Sequence, residues 1–192
     1  MIDLHPKNEA SLSSLSKNLG SVIVTGPSGS GLTTALSYYA DMLTDNDRSP
    51  DRQLRLQDYS VDHQRRLLKQ ANLKTSSEAN RVILIDDMDK LQPSAQNILL
   101  KIIEEPPELT SFALASHSPE LVLDTIKSRV HSVKLLRPLT DSYKGIESSR
   151  IKIGDGWPGR VLANEDSMTT AKKFVSGKNN DKLVLVKDLD KD

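Results

Sequence analysis

The stretch Gly26-Pro27-Ser28-Gly29-Ser30-Gly31-Leu32-Thr33-Thr34 carries the strongest chemical signal in the sequence. It follows the apolar run Val22-Ile23-Val24 and precedes a helical segment, Ala35 to Leu43. Strand, glycine-rich loop and helix form the context of a phosphate-binding loop. Glycine lets the backbone curl until several N–H groups point at one anion, and the helix N-terminus adds partial positive charge. The spacing fits G-x-x-x-x-G-K-[ST] with one departure, because Leu32 stands at the lysine position. That lysine normally reaches the outer phosphates, and leucine brings no charge. Thr33 keeps the hydroxyl that would face Mg²⁺. The candidate loop residues are Gly26, Ser28, Gly29, Gly31, Leu32, Thr33 and Thr34. Catalytic ATP turnover, passive phosphate binding and an empty strand-to-helix turn all remain open for this loop.

A second constellation follows downstream. Arg81-Val82-Ile83-Leu84-Ile85-Asp86-Asp87 is an apolar run ending in two carboxylates, the Walker B pattern. In such sites the first carboxylate helps hold Mg²⁺ and the next, usually Glu, orients the attacking water. Asp87 is one methylene shorter than that Glu. A buried strand ending in a solvated Asp pair is the alternative. His5, His63, His117 and His131 are scattered and suggest no metal cluster. His117 reads as a solvent-facing loop residue, and Arg65 and Arg66 as a solvated helix face.

The elements that must position these groups alternate. Residues 7–19 read as a helix and Ser21 to Thr25 as a buried parallel strand. Leu54 to Leu56 suits a short strand. Val61 to Leu73 reads as a helix with Val61, Leu67, Leu68 and Ala71 on one face. Pro93 to Glu105 is a helix started by Pro93 and stopped by Pro106-Pro107, with Ala95, Ile98, Leu99, Ile102 and Ile103 facing the core. Ser111 to Ala115 is a strand ending at Ser116, Pro119 to Ile126 a helix, and Val130 to Leu136 a strand. Such alternation predicts an α/β fold with a parallel sheet flanked by helices. After Pro138 the strand pattern stops. Helices are expected over Tyr143 to Ile153, Val161 to Asn164, Met168 to Val175 and Asp181 to Leu189. The division is therefore an α/β domain over 1–137 and a small helical lid over 138–192.

Composition bounds the partners. The chain has 192 residues, 36% hydrophobic and 27% charged, with formal net charge +0. A balanced charge argues against nucleic-acid affinity over the whole surface, though not against a local basic face. No cysteine is present, so disulfides, thiol chemistry and thiolate metal sites are excluded. No apolar run approaches the roughly 18 residues of a membrane span, and residues 1–5 lack a signal pattern. A cytoplasmic location is expected.

Taken in order, these features resemble the clamp-loader subunits of bacterial DNA polymerase III, which are AAA+ proteins. The delta-prime subunit is the first likeness and gamma/tau the second. Three segments carry it: Ile85-Asp86-Asp87-Met88-Asp89-Lys90-Leu91, Asn97-Ile98-Leu99-Leu100-Lys101-Ile102-Ile103-Glu104-Glu105-Pro106-Pro107, and Thr125-Ile126-Lys127-Ser128-Arg129-Val130. Trp157-Pro158-Gly159-Arg160 is similar to the family's sensor 2 motif. The resemblance implies an AAA+ P-loop domain with Asp86 and Asp87 as Walker B carboxylates. It implies Ser116 as sensor 1, Arg160 as sensor 2, and Arg129 as an arginine finger for a neighbouring subunit's ATP. The implied partners are the gamma/tau and delta subunits, the sliding clamp, and primed DNA through the assembled complex, with no membrane. ATP or ADP with Mg²⁺ would bind weakly at most, and no cofactor is required. Members often carry a four-cysteine zinc module. None is possible here, so no zinc is expected. Val130 replaces the cysteine that usually follows the finger. The family's C-terminal collar domain is expected to be absent from these residues. An active gamma/tau-like ATPase that tolerates Leu32 is the alternative function.

Overall fold

A computed structural model describes residues 4–71, 79–143, 146 and 148–162. Its centre is a five-stranded sheet built from β1 (Val22–Thr25), β2 (Gln53–Arg55), β3 (Arg81–Ile85), β4 (Thr110–Ser116) and β5 (His131–Lys134). The order is β2-β3-β4-β1-β5, and every pairing is parallel. The chain places β1 between β4 and β5, so the order reverses there. Open α/β sheets bind ligands at the C-terminal strand ends beside such a reversal. Thr25 lies in register with Ser116, and Ile85 with Leu114. The P-loop, Asp86 and Ser116 therefore emerge along one edge of the sheet.

Side-chain alternation along each strand divides the core in two. Ile23, Ile83, Ile85, Phe112 and Leu114 face one side. There they meet α3 (Val61–Ala71), α4 (Pro93–Glu104) and α5 (Asp124–Lys127). Val22, Val24, Val82, Leu84, Ala113 and Ala115 face the other, against α1 (Pro6–Lys17) and α2 (Leu32–Leu43). Helix α1 begins at Pro6, with His5 as N-cap. Its buried Asn8 lies along the outer edge of β5. Asn8 donates to the Lys134 carbonyl at 2.9 Å and accepts from the Leu136 amide at 2.8 Å. One amide side chain thus occupies hydrogen-bonding groups that an edge strand leaves open.

The observed elements correct several sequence expectations. Val61 is 39% exposed; Gln64, Leu67 and Ala71 form the buried face of α3. Gln64 enters that face because its side-chain amide donates to the Tyr59 carbonyl at 2.9 Å. The expected helix from Pro119 to Ile126 is broken into a one-turn 3₁₀ helix, Pro119–Leu121, and α5, with Val122 extended between them. Gln96, buried on α4, causes the break. Its Nε2 donates to the Leu91 and Leu121 carbonyls, and its Oε1 accepts from the Leu123 amide. Backbone groups tied to a side chain leave the helical ladder. The expected final strand is assigned over His131–Lys134, and the Leu135 amide still donates to the Thr25 carbonyl at 2.8 Å.

Beyond β5, a 3₁₀ turn (Thr140–Tyr143) leads to α6 (Ser148–Ile153) and α7 (Pro158–Val161). Trp157 and Val161 are buried, and Trp157 joins the apolar cluster of α1 and α2. Arg137 lies over the Trp157 ring at 5.5 Å and pairs with Asp155 at 2.7 Å. The expected helices over Met168 to Val175 and Asp181 to Leu189 lie outside the described residues, as does Asn164.

Candidate functional site

The P-loop has the backbone its glycines were expected to allow. Gly29 and Gly31 adopt positive φ, +82° and +89°. Gly31 is the N-cap of α2 and makes no side-chain cap bond. The Ser30 amide closes a turn onto the Pro27 carbonyl at 3.0 Å, and the Gly26 amide donates to Ser116 at 3.3 Å. The loop thus turns the uncapped start of α2 toward the C-terminal edge of the sheet, as an anion cradle requires. Thr33 and Thr34 are exposed. Leu32 is only 3% exposed and belongs to the apolar cluster of Val24, Ala115, Leu135 and Trp157. The position where a lysine would meet phosphate is here part of the core.

Asp86 does not stand free. Arg55, the last residue of β2, places Nη1 2.9 Å from both Asp86 carboxylate oxygens and Nη2 3.2 Å from Ser37 Oγ. Asp87 caps the 3₁₀ turn Met88–Lys90, accepting from the Asp89 amide at 3.2 Å, and pairs with Lys90 at 3.4 Å. The Lys90 ammonium lies 5.3 Å from the centre of the Tyr59 ring. Burial, then the Asp87 and Asp86 carboxylates, push the Tyr59 phenol up to about 12. Each of the two carboxylates at the end of β3 is therefore engaged by a cation or an amide.

Ser116 is fully buried at the end of β4 and donates to Asp89 Oδ1 at 2.5 Å. Asp89 Oδ2 accepts from the His117 and Ser118 amides at 2.9 and 3.1 Å. His117 Nδ1 reaches the Gly26 carbonyl at 3.1 Å. His117 is exposed, as expected, yet it ties the end of β4 to the start of the P-loop.

Arg160 comes to the same loop from the far end of the chain. Its Nε donates to the Ser28 carbonyl at 2.9 Å, and the Gly159 amide donates to Gly29 at 2.8 Å. The loop, Ser116 and Arg160 are thus brought together, with Asp86 on the neighbouring strand end. Arg129 stands apart. Its Nη2 pairs with Glu104 Oε1 at 2.7 Å, and its Nη1 donates to the Thr125 carbonyl at 2.9 Å. Its side chain is 39% exposed, and none of its described bonds reaches residues 26–34.

Sequence reasoning missed Arg55, Asp89, Gln96 and Glu104. The cue for Arg55 was a cation at the end of a short strand. Only the register of β2 on β3, with Arg55 opposite Leu84, puts it beside Asp86.

These residues fit the groups expected at a nucleotide site unequally. The curled loop and uncapped helix start suit a phosphate. Mg²⁺ requires an accessible carboxylate at about 2.0–2.1 Å in near-octahedral geometry. Arg55 already engages both oxygens of Asp86, so the carboxylate does not suit that ion.

Comparison with known proteins gives the site its context. Residues 45–139 match the family described as DNA polymerase III, delta subunit. That segment contains Asp86, Asp87, Ser116 and Arg129 but not the P-loop. The DNA polymerase III gamma/tau subunit of Mycobacterium tuberculosis is 40% identical over 82 residues, 42% of this chain and 14% of that protein. The delta-prime subunit of Escherichia coli K12 is 31% identical over 115 residues, 54% of this chain and 34% of that protein. The chain therefore spans about a third or less of these relatives. Among solved structures, a gamma subunit-related protein of Thermotoga maritima superposes with TM-score 0.64 at 15% identity, covering 90% of this chain and 64% of that one. The RuvB Holliday-junction branch-migration motor of the same organism gives 0.57 at 15%, covering 98% and 71%. At such identity the superpositions speak to fold alone, a parallel α/β sheet flanked by helices. Over the matched segments the chain is similar to the delta-prime and gamma/tau subunits of DNA polymerase III.

Proposed function

We propose that this chain is a clamp-loader subunit of the delta-prime type, which does not hydrolyse ATP and lends Arg129 to a neighbour's ATP site. The supporting observation is the distribution of cations. The P-loop lacks its lysine and buries Leu32, while Arg129 is held at the surface by Glu104 and the end of α5. A guanidinium there offers bidentate contact to charge building on a transferred phosphoryl group. The partners in this reading are gamma/tau and delta, a sliding clamp, and primed DNA bound by the whole assembly in the cytoplasm. Ser116 and Arg160 take the sensor positions. The lid function falls to residues 138–192, of which the described part meets the 1–137 domain through Trp157 and Gly159.

The test is reconstitution with partner subunits. Arg129→Ala is expected to lower assembly-dependent ATP hydrolysis by roughly 10³-fold or more, the scale of a lost arginine finger. Unchanged hydrolysis and clamp loading would remove Arg129 from this role. The 40% identity to gamma/tau favours a second reading, an ATPase that works despite Leu32. ATP turnover by the chain alone, abolished by Asp86→Ala, would establish that reading and overturn the first.

A further inference from the structure

We infer that Arg55 is a resident cation in the metal position of this site, so that the Walker B carboxylate is permanently satisfied by the protein. This deepens the reading of the chain as a non-hydrolysing subunit and rests on it only for its consequence.

Three observations converge. Arg55 ends β2, and its register opposite Leu84 places it on the same sheet face as Leu84 and Asp86, since side chains two apart share a face. Nη1 contacts both Asp86 oxygens at 2.9 Å, leaving neither carboxylate oxygen without a cationic donor. Nη2 reaches Ser37 Oγ at 3.2 Å. Ser37 lies one turn beyond Thr33 on α2, so the guanidinium bridges the helix that begins in the P-loop and the carboxylate that ends β3. Thr33, whose hydroxyl stands at the motif position that would face a divalent ion, begins the turn of α2 on which Ser37 meets Arg55. A divalent cation beside that guanidinium would meet like charge and a carboxylate already neutralised. The site thus carries no cation at position 32 and one at Arg55. The P-loop change alone would weaken phosphate binding; the Arg55 pair acts on metal binding, an independent step.

The experiment uses the chain as it stands, with Mn²⁺ as probe and electron paramagnetic resonance to count free ion. No saturable Mn²⁺ binding is expected for the unaltered protein. Arg55→Ala should gain saturable binding of about one Mn²⁺ per chain, and Asp86→Asn in that background should abolish the gain. Arg55→Met, which keeps the aliphatic stem, gives the same readout should the alanine variant unfold. Saturable binding by the unaltered protein that Asp86→Asn removes would overturn the inference. So would a folded Arg55 variant that gains nothing. Either failure leaves the Arg129 reading standing, because that role is measured through a partner's ATP hydrolysis and not through metal bound here.

Discussion

Gly159 and Gly29 meet backbone to backbone, the Gly159 amide donating to the Gly29 carbonyl at 2.8 Å. A Cβ at Gly159 would lie 2.9 Å from Gly29 Cα and 3.1 Å from its carbonyl oxygen. Residues more than a hundred positions apart thereby fix the P-loop against α7. Backbone on both sides leaves no flexible side chain to yield. Gly159→Ala is expected to destabilise the chain by about 1–3 kcal/mol, the usual penalty of overpacking. Urea unfolding at constant m-value checks it; an unchanged midpoint would show that the two segments are not docked in solution.

Restoring the consensus lysine should not restore an enzyme. Leu32 sits in the core with Val24 and Trp157, so Leu32→Lys forces an ammonium toward an apolar cluster. A stability loss of about 1–3 kcal/mol is expected, with no ATP turnover, because Arg55 still engages Asp86. Phosphate release by Leu32→Lys above the unaltered chain would contradict this.

Asp89 organises the end of β4 through Ser116 Oγ and the His117 and Ser118 amides. Asp89→Ala leaves the buried Ser116 hydroxyl and the His117 amide without their acceptor, and the Ser118 amide with only Ser116 Oγ at 3.2 Å. A cost of about 1–3 kcal/mol is expected. Amide hydrogen exchange should accelerate at His117 and Ser118; unaltered exchange there would deny Asp89 its organising role.

Acid should loosen the turn after α2. The Arg48 side chain, donating at 2.8 Å through Nε, is the main cause holding the Asp41 carboxyl below its usual range. A depressed folded value stabilises the protein above the unfolded value of about 3.9, and that stability is lost as pH falls through the lower folded value. Asp41→Asn should therefore flatten the stability profile below about pH 4 and leave its slope near neutrality unchanged. Thermal unfolding across pH 2–7 reads this directly, and parallel profiles for the two proteins would refute it.

Much of the architecture was legible in the sequence because it depends on local pattern. The continuous apolar runs at Val22 and Val82 specify buried parallel strands. Glycines at 29 and 31 specify positive φ, and Pro93 with Pro106 brackets α4. The break at Val122 was not legible, because Gln96 on another helix causes it. Val61 misled for a similar reason: periodicity alone does not say that a glutamine will take the buried face.

The sequence by itself determined the candidate groups: a P-loop without its lysine, two carboxylates at the end of β3, and arginines at 129 and 160. It did so because motif, spacing and hydrophobic period are all short-range properties. Only the tertiary structure decided what those groups touch. It put Leu32 into the core, Arg55 on Asp86, Arg160 on the P-loop and Arg129 on Glu104. Each of these contacts is set by strand register or helix docking between distant segments, and long-range geometry of that kind has no spacing along the chain to reveal it.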